Sequence, residues 1–384
     1  AALELARVLS CAQHGAWNCP CKDCRLHRLI AHPDLLLFGK RSFPEELPVA
    51  REFLARSPSQ ASAFIFYRAA RKLLERFDPA LWAGEETRLA KAAPLVQAVE
   101  LGLDALKPEQ PGSRGPEALE SADSLVSACA DLEALCPDQP PVFMIRGMEL
   151  WARLAPSGRT KVAIIENADR MQDSSRNAML KILEEPPGTV KFILLSSRRA
   201  SMMATVLSRS RVYAFEQRTA SQAAEVASRV FKVEGVENLV EYFESRTPFP
   251  PSAARAEAEA FVGRLLADRA AAGAGCRSAL AAGLADAAEN EGLGMGEILE
   301  RIRQKTSSFG AKDKSLSFSF IRFMRALAAL YSRLLADSTG DPGFLSLLDE
   351  WSRLTRETAL QYSSLNRNPE LLLEVLAEAC GASR

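Results

Sequence analysis

The sequence predicts an α/β core with a parallel sheet, joined to an all-α region. Three apolar runs are rich in branched and aromatic residues, and each is too short for a helix: 162–165, 190–195 and 212–215. Such runs are typical of strands buried on both faces. A helical pattern that begins near Asp173 separates the first two runs, and strand–helix–strand at this spacing indicates parallel strands. After Phe215 the patterns are helical, which predicts the all-α region.

The composition is that of a globular protein of two or three domains. The chain has 384 residues, of which 47% are hydrophobic and 25% charged. Its 48 basic and 48 acidic side chains give a formal net charge of zero, whereas a protein that binds DNA by itself is usually basic. The sequence lacks the run of about 18 apolar residues that a membrane-spanning helix needs. We therefore expect no membrane association and a nucleic-acid role only alongside partners.

The first forty residues combine a helix, a cysteine cluster and a strand. Residues 1–10 carry apolar side chains at a helical spacing, and residues 32–38 end in a short apolar run. Four of the eight cysteines lie between Cys11 and Cys24, while the others are scattered. This asymmetry indicates one metal site in a protein of the reducing cytoplasm, and it argues against a disulfide framework.

The remaining segments read as helices separated by proline-rich breaks. A helical pattern covers 44–106, a Pro/Gly-rich linker covers 107–116, and another helix covers about 117–135. Small helices are predicted between 219 and 248, before the proline cluster that ends at Pro251. Ala- and Leu-rich helices then continue to the end of the chain.

Six motifs follow one another along the chain, at Cys11–Cys24, His32–Asp34, Lys161–Ile165, Ala168–Met171, Asn177–Pro187 and Leu207–Ser210. Together they resemble the bacterial clamp-loader family of the AAA+ superfamily, most specifically over residues 1–40 and 141–218. The resemblance implies an AAA+-like α/β core at 1–218, with a zinc module at 1–40 and an unassigned helical insertion at about 41–140. It implies a small helical lid at 219–251 and a helical collar for oligomerisation at 252–384.

In the ATPases of this family the strand that corresponds to 161–166 ends in Asp-Glu, a Walker B pair in which the first residue helps to hold Mg²⁺ and the second orients water. Here the pair is Glu166 and Asn167, and an amide cannot accept a proton. The resemblance thus implies a degenerate Walker B and no hydrolysis of ATP by this chain, although a polar strand end that merely meets solvent is the plainer alternative. The family's first strand and P-loop would precede Ala1, so we expect the natural product to extend beyond it.

The triplet Ser208-Arg209-Ser210 is similar to the family's Ser-Arg-Cys motif, whose arginine reaches the ATP of a neighbouring subunit. The resemblance therefore implies that Arg209 is an arginine finger in trans, since a guanidinium is permanently charged and matches phosphate oxygens. A surface arginine at a helix end is the alternative. Ser197 corresponds to a polar sensor of the γ-phosphate, although a strand-end cap is equally compatible with its position.

The resemblance also implies that Cys11, Cys19, Cys21 and Cys24 bind a structural zinc ion, because a closed Cys₄ site leaves no catalytic position. Their spacing is one residue tighter than the family's at Cys19. Three alternatives stay open: His14 or His27 replaces a cysteine, the site is degraded, or the thiols are free.

The expected function is that of a clamp-loader subunit that does not hydrolyse ATP, within a replicative DNA polymerase holoenzyme. The implied partners are the gamma/tau ATPase subunits and the delta subunit, with the sliding clamp and primed DNA reached through the complex. One alternative is a gamma/tau-type ATPase that is cut before its P-loop, and Asn167 argues against it. Another is an interaction scaffold on a degenerate AAA+ fold, outside replication.

Overall fold

A computed structural model describes residues 1–13, 15–39, 43–137, 139–247, 249–274, 277–307, 315–338, 340–365 and 367–382. His14, one of the possible zinc ligands, lies outside these residues. Contacts divide the chain into two units, Ala1–Phe243 and Glu244–Arg384. The division falls inside the predicted lid (219–251), and the predicted bounds of the core, lid and collar stay predictions.

Helices make up most of the described residues, as the sequence patterns indicate. In chain order they are α1 (Ala2–Ser10), α2 (Lys22–Arg28), α3 (Phe43–Arg56), α4 (Gln60–Leu74), α5 (Glu86–Ala105), α6 (Pro116–Ala134), α7 (Val142–Arg153), α8 (Asp173–Glu184), α9 (Ala204–Leu207), α10 (Ala220–Val226), α11 (Leu239–Glu244), α12 (Pro251–Ala271), α13 (Ala279–Glu291), α14 (Met295–Ser307), α15 (Ser315–Asp337), α16 (Pro342–Leu365) and α17 (Pro369–Ala382).

The described residues form one parallel sheet of three strands, β1 (Leu35–Gly39), β2 (Lys161–Glu166) and β3 (Val190–Leu194). Strand β2 lies in the middle, with Leu37 of β1 opposite Ile164 and Phe192 of β3 opposite Ala163. The expected parallel sheet and the runs at 32–38, 162–165 and 190–195 are thereby confirmed.

The strand predicted at 212–215 is wrong. Residues 211–219 have no regular structure, and the side chains of Val212, Tyr213 and Phe215 are 46%, 65% and 78% exposed. A strand needs a neighbour for its backbone hydrogen bonds, and in the described part of the chain nothing pairs with this segment. An apolar run in the sequence does not show whether the fold places another strand beside it.

The two faces of the sheet are covered by different parts of the sequence, because alternate side chains of a strand point to opposite faces. One face has Leu35, Leu37, Val162 and Ile164, which pack with Ala6 of α1. The opposite face packs against helices of the insertion and against α7 and α8, through Leu36, Phe38, Ala163 and Ile165. Both faces of the sheet are therefore covered by apolar side chains, as an all-parallel sheet requires.

The insertion at about 41–140 is part of this core and not an appendage. Phe66 and Trp82 of the insertion are buried in the same cluster as the sheet residues. A short turn at 79–82 docks on α7, where Gly147 allows the approach: a Cβ atom there would lie 2.2 Å from the carbonyl oxygen of Ala80. The ring of Trp82 also lies 5.5 Å from that of Phe143 on α7.

Residues 226–243 pack against the insertion as well. The ring centroid of Phe231 lies 5.9 Å from that of Phe53 on α3, and Val236 and Tyr242 belong to the same small cluster. This part of the predicted lid thus belongs to the first unit and packs on the insertion by apolar contacts.

The second unit is a bundle of the helices α12–α17. Its buried centre includes Phe261 on α12 and Phe323 on α15, whose rings meet edge to face at 5.9 Å. Trp351 of α16 is fully buried, and its indole N–H donates to the carbonyl of Cys380 on α17 at 3.0 Å. The apolar periodicity of 252–380 is therefore explained by core packing. In the described ranges, none of the helices is long and apolar enough to cross a membrane.

A buried histidine beside the cysteine cluster predicts how the stability of the first unit depends on pH. His27 is 1% exposed, stacks on His32 at 4.2 Å, and neither of its ring nitrogens has a hydrogen-bond partner. Burial, and then the neighbouring His32, lower the pKa of His27 from 6.5 to about 4.

As the pH falls below 6.5, the unfolded chain binds a proton at His27 before the folded chain does. The free energy of unfolding should therefore fall between pH 6.5 and pH 4. The substitution His27→Phe should flatten this part of the profile, measured by denaturant titration of the zinc-treated protein. An unchanged slope in the variant would assign the pH dependence to other groups.

Candidate functional site

The four cysteines of the predicted zinc module converge in space. Cys11 follows α1, Cys21 caps the N-terminus of α2, and Cys24 lies in the first turn of that helix. Their Sγ atoms all lie within 4.8 Å of one another, with 3.7 Å from Cys11 to Cys19 and 3.9 Å from Cys11 to Cys21. A tetrahedral zinc site with Zn–S bonds of about 2.3 Å has S···S distances of about 3.8 Å. The cluster therefore fits a metal such as zinc.

The tight Cys19-x-Cys21 spacing does not prevent this convergence. Backbone N–H groups turn towards the sulfurs, since Gln13 N–H donates to Cys11 Sγ at 3.3 Å and Cys24 N–H to Cys21 Sγ at 3.4 Å. Such donors favour the thiolate, which is the form that binds metal. Burial raises the pKa of Cys11, but the N–H groups of Gln13 and Gly15 and the neighbouring thiols lower it by more, to about 6. His27 is not part of the group.

A buried arginine, which the sequence pattern did not single out, supports the cluster. Arg7 of α1 is 2% exposed, and its Nη1 donates to Cys24 Sγ at 3.0 Å. The same guanidinium donates to the carbonyls of Ala16 at 3.1 Å and Gly15 at 2.9 Å, and it pairs with Glu4. Four thiolates around one Zn²⁺ leave two negative charges, so a guanidinium against a sulfur stabilises the loaded site.

Glu166 and Asn167, which the resemblance implies to be a degenerate Walker B pair, lie at the carboxyl edge of the sheet. Asn167 has φ 50° and ψ 47°, a left-handed conformation that Asn tolerates, and it directly follows β2. Two backbone hydrogen bonds of 2.9 Å, from Leu195 to Ile165 and from Ala168 to Leu195, join the chain after β2 to the chain after β3. The exposed Ser197, two residues beyond Leu195, therefore lies at the same edge of the sheet as Glu166 and Asn167.

Glu166 does not project into solvent. Its side chain is 11% exposed and forms an ion pair with Arg76 of the insertion, which is 2% exposed. Sequence reasoning missed this partner because 90 positions separate the two residues and no local spacing connects them.

Arg209 lies at the surface, after the short helix α9. Its Nη2 pairs with Glu184 Oε1 at 3.0 Å, and its Nη1 donates to the carbonyl of Thr205 at 3.0 Å. The hydroxyls of Ser208 and Ser210 donate back to carbonyls in α9, at 3.0 Å and 2.8 Å. The two serines therefore stabilise the turn that carries Arg209. Sequence reasoning missed the contact between Arg209 and Glu184, although Glu184 belongs to the Asn177–Pro187 motif.

The contact of Arg7 with the sulfur predicts an effect on metal affinity. The substitution Arg7→Met should weaken zinc binding by about 10–100-fold, the usual cost of losing an outer contact to a metal ligand. Competition with a chelator measures the dissociation constant. Arg28→Met is the matched control, because Arg28 donates to the carbonyls of Cys19 and Trp17 in the same loop but to backbone only. Equal losses in both variants would assign Arg7 a role in loop structure alone.

Comparisons with known proteins find a family model and several proteins that are similar to parts of this chain. Residues 144–219 match the family model described as DNA polymerase III, delta subunit. The DNA polymerase III subunit delta' of Haemophilus influenzae is 37% identical over 65 residues, 17% of this chain and 20% of that protein. Replication factor C small subunit 1 of Pyrobaculum arsenaticum is 30% identical over 109 residues, 28% of this chain and 33% of that protein.

Among solved structures, a DNA polymerase III gamma subunit-related protein from Thermotoga maritima aligns over 67% of this chain and 89% of its own, with 17% identity and a TM-score of 0.31. The chain spans between 20% and 33% of the length of the curated relatives named above. The segment 144–219 that matches the family model contains β2, Asn167 and the Asn177–Pro187 motif. The family model and the curated relatives therefore support the resemblance that the sequence predicts: part of this chain is similar to clamp-loader proteins, among them a DNA polymerase III delta-prime subunit.

Proposed function

We propose that this chain is a clamp-loader subunit of the delta-prime type, which does not hydrolyse ATP and supplies Arg209 to the ATP site of a neighbouring ATPase subunit. The observation that carries the proposal is the surface position of Arg209, within the segment 144–219 that matches the family. Its side chain is 36% exposed, and its backbone follows the short helix α9. An arginine that acts at the ATP site of another subunit needs an exposed guanidinium and a backbone that is held in place.

The present partner of Arg209 is one that a phosphate can displace. The Arg209–Glu184 pair is exposed, with Glu184 53% accessible, and such surface pairs contribute about 0–1 kcal/mol. A γ-phosphate carries more charge than one carboxylate and accepts the two parallel hydrogen bonds of a guanidinium. Docking of a neighbouring subunit would therefore move Arg209 from Glu184 onto its nucleotide.

The lack of hydrolysis is supported by the end of β2. Asn167 offers an amide where a general base would orient water, and Glu166 is engaged by Arg76. On this proposal the chain contributes a charge to a neighbour's reaction and no base of its own. Ser197, at the same edge of the sheet, would then serve as a strand-end residue and not as a sensor of bound nucleotide.

The other parts of the proposal follow from the family. The zinc module at 1–40 would be structural, with Cys11, Cys19, Cys21 and Cys24 holding Zn²⁺. The helices of 252–384 would form a collar that joins the gamma/tau and delta subunits, and residues 219–251 would act as the lid. The complex would load the sliding clamp on primed DNA in the cytoplasm, as part of the DNA polymerase III holoenzyme.

Substitution of the finger tests the proposal. In a complex reconstituted with delta and the ATPase subunits, Arg209→Ala should slow hydrolysis at the adjacent site by about 10³-fold or more, the range that arginine fingers supply elsewhere. Single-turnover hydrolysis and clamp loading are the measurements. Arg211→Ala is the matched control, because Arg211 is a neighbouring exposed arginine that lies over Tyr213. Full activity of the Arg209→Ala complex would refute the role in trans.

A further inference from the structure

The carboxyl end of β2 carries an acid whose charge is already balanced inside the chain. Glu166 is the last residue of β2, and Arg76 lies in the helical turn that follows α4 in the insertion. Nη2 of the buried Arg76 donates to Oε2 of Glu166. We propose that Arg76 is an internal counter-ion, which takes the position at the end of β2 that a divalent cation would otherwise occupy.

Arg76 is held in this position by contacts on several sides. Its Nη1 donates to the carbonyl of Lys72 at 2.5 Å, and its Nε donates to the carbonyl of Gly39 at 3.3 Å. Its own carbonyl accepts the indole N–H of Trp82 at 2.7 Å. The guanidinium is therefore tied to α4, to the end of β1 and to the end of β2 at once. With these contacts on several sides, Arg76 is a structural part of the core.

The strand ends are shaped to admit the guanidinium. Gly39 pairs with Glu166 in the register of β1 and β2, and it has φ 100°, which favours glycine. A Cβ atom on Gly39 would lie 2.2 Å from the carbonyl oxygen of Glu166. Only glycine allows β1 to end against β2 in this way, with its carbonyl turned towards Arg76.

The positive charge of Arg76 already balances Glu166 and excludes a divalent cation from the same carboxylate. A divalent ion on Glu166 would lie beside a guanidinium that cannot lose its proton, in surroundings that screen charge poorly. Arg76 cannot leave easily either, because its other contacts would be lost and the buried Glu166 would lose its ion pair with the guanidinium. The insertion thus gives the sheet a closed ion pair where the ATPases of the family hold Mg²⁺.

This inference extends the proposed function, because it supplies a second reason for the lack of hydrolysis that does not depend on Asn167. It assigns a role to the insertion, which neither the motifs nor the family resemblance explains. Its test uses the isolated, zinc-loaded chain and Mn²⁺ alone. A negative result would therefore leave the role of Arg209 in the assembled complex untouched.

The test places a second carboxylate beside Glu166, once with Arg76 present and once with Arg76 replaced. Asn167→Asp adds a second carboxylate, and Asp tolerates the left-handed backbone at this position. Mn²⁺ binding, followed by the electron paramagnetic resonance signal of free Mn²⁺, should be no tighter in N167D than in the unaltered chain. The double variant R76Q/N167D should bind Mn²⁺ at least about tenfold more tightly, because two carboxylates then face the ion without a competing charge.

The matched control is R71Q/N167D. Arg71 lies on α4, the helix that precedes Arg76, donates to the carbonyl of Ile30 at 2.8 Å and pairs with Glu75 at 2.7 Å, so its loss also breaks an ion pair of the insertion. This variant should bind Mn²⁺ no better than N167D. If N167D alone binds as tightly as R76Q/N167D, or if the control gains as much, Arg76 is not the counter-ion and the proposal fails.

A second measurement covers the case in which the loss of Arg76 impairs folding. If Mn²⁺ replaces the guanidinium, then saturating Mn²⁺ should raise the Tm of R76Q/N167D, or restore its folding, and should leave R71Q/N167D unchanged. Replacing Glu166 as well, in R76Q/N167D/E166Q, should abolish the effect of Mn²⁺. A triple variant that responds to Mn²⁺ like the double variant would locate the ion elsewhere and overturn the proposal.

Discussion

The first unit depends on the burial of one strand. All six residues of β2 are buried, and its neighbours on both sides run parallel to it. A parallel strand of this kind needs apolar cover on two faces, and the chain supplies that cover from separate places in the sequence. Helix α1, which leads into the cysteine cluster, covers one face, and the insertion with α7 and α8 covers the other. The helix that leads into the cysteine cluster and the insertion thus cover opposite faces of one sheet.

Burial of the strand also governs the chemistry at its end. A carboxylate that follows five buried residues is drawn out of water, and a buried charge must be paired. The insertion, which already covers that face, provides Arg76 for this purpose. The same physical requirement explains Arg7, which brings a positive charge to a buried group of four sulfurs. In both places a buried guanidinium comes from the segment that covers the sheet, and its contacts join that cover to the functional group.

Sequence patterns could predict what depends on neighbours along the chain. The apolar runs at 32–38, 162–165 and 190–195 identified the three strands of the sheet because burial on both faces leaves that signature, and the crowding of four cysteines predicted the cluster that could hold a metal. The run at 212–215 has the same signature but no partner strand within the described residues, and pairing is not encoded locally. Arg76 and Glu184 were missed for a similar reason, since each pairs with a residue whose proximity the fold creates. The role of Arg209 was inferred from its motif, while its present contact with Glu184 could come only from the structure.

One consequence concerns Gly147, the residue of α7 that admits the carbonyl of Ala80. Glycine inside a helix costs about 1 kcal/mol relative to alanine, so a chain without the turn at 79–82 would gain by replacing it. Gly147 lies in the segment that matches the family model, yet what it accommodates belongs to the insertion. Gly147 therefore joins the matched segment to the insertion by close backbone packing. In related sequences, a glycine at this position should accompany an arginine at the place of Arg76, and the two should be lost together.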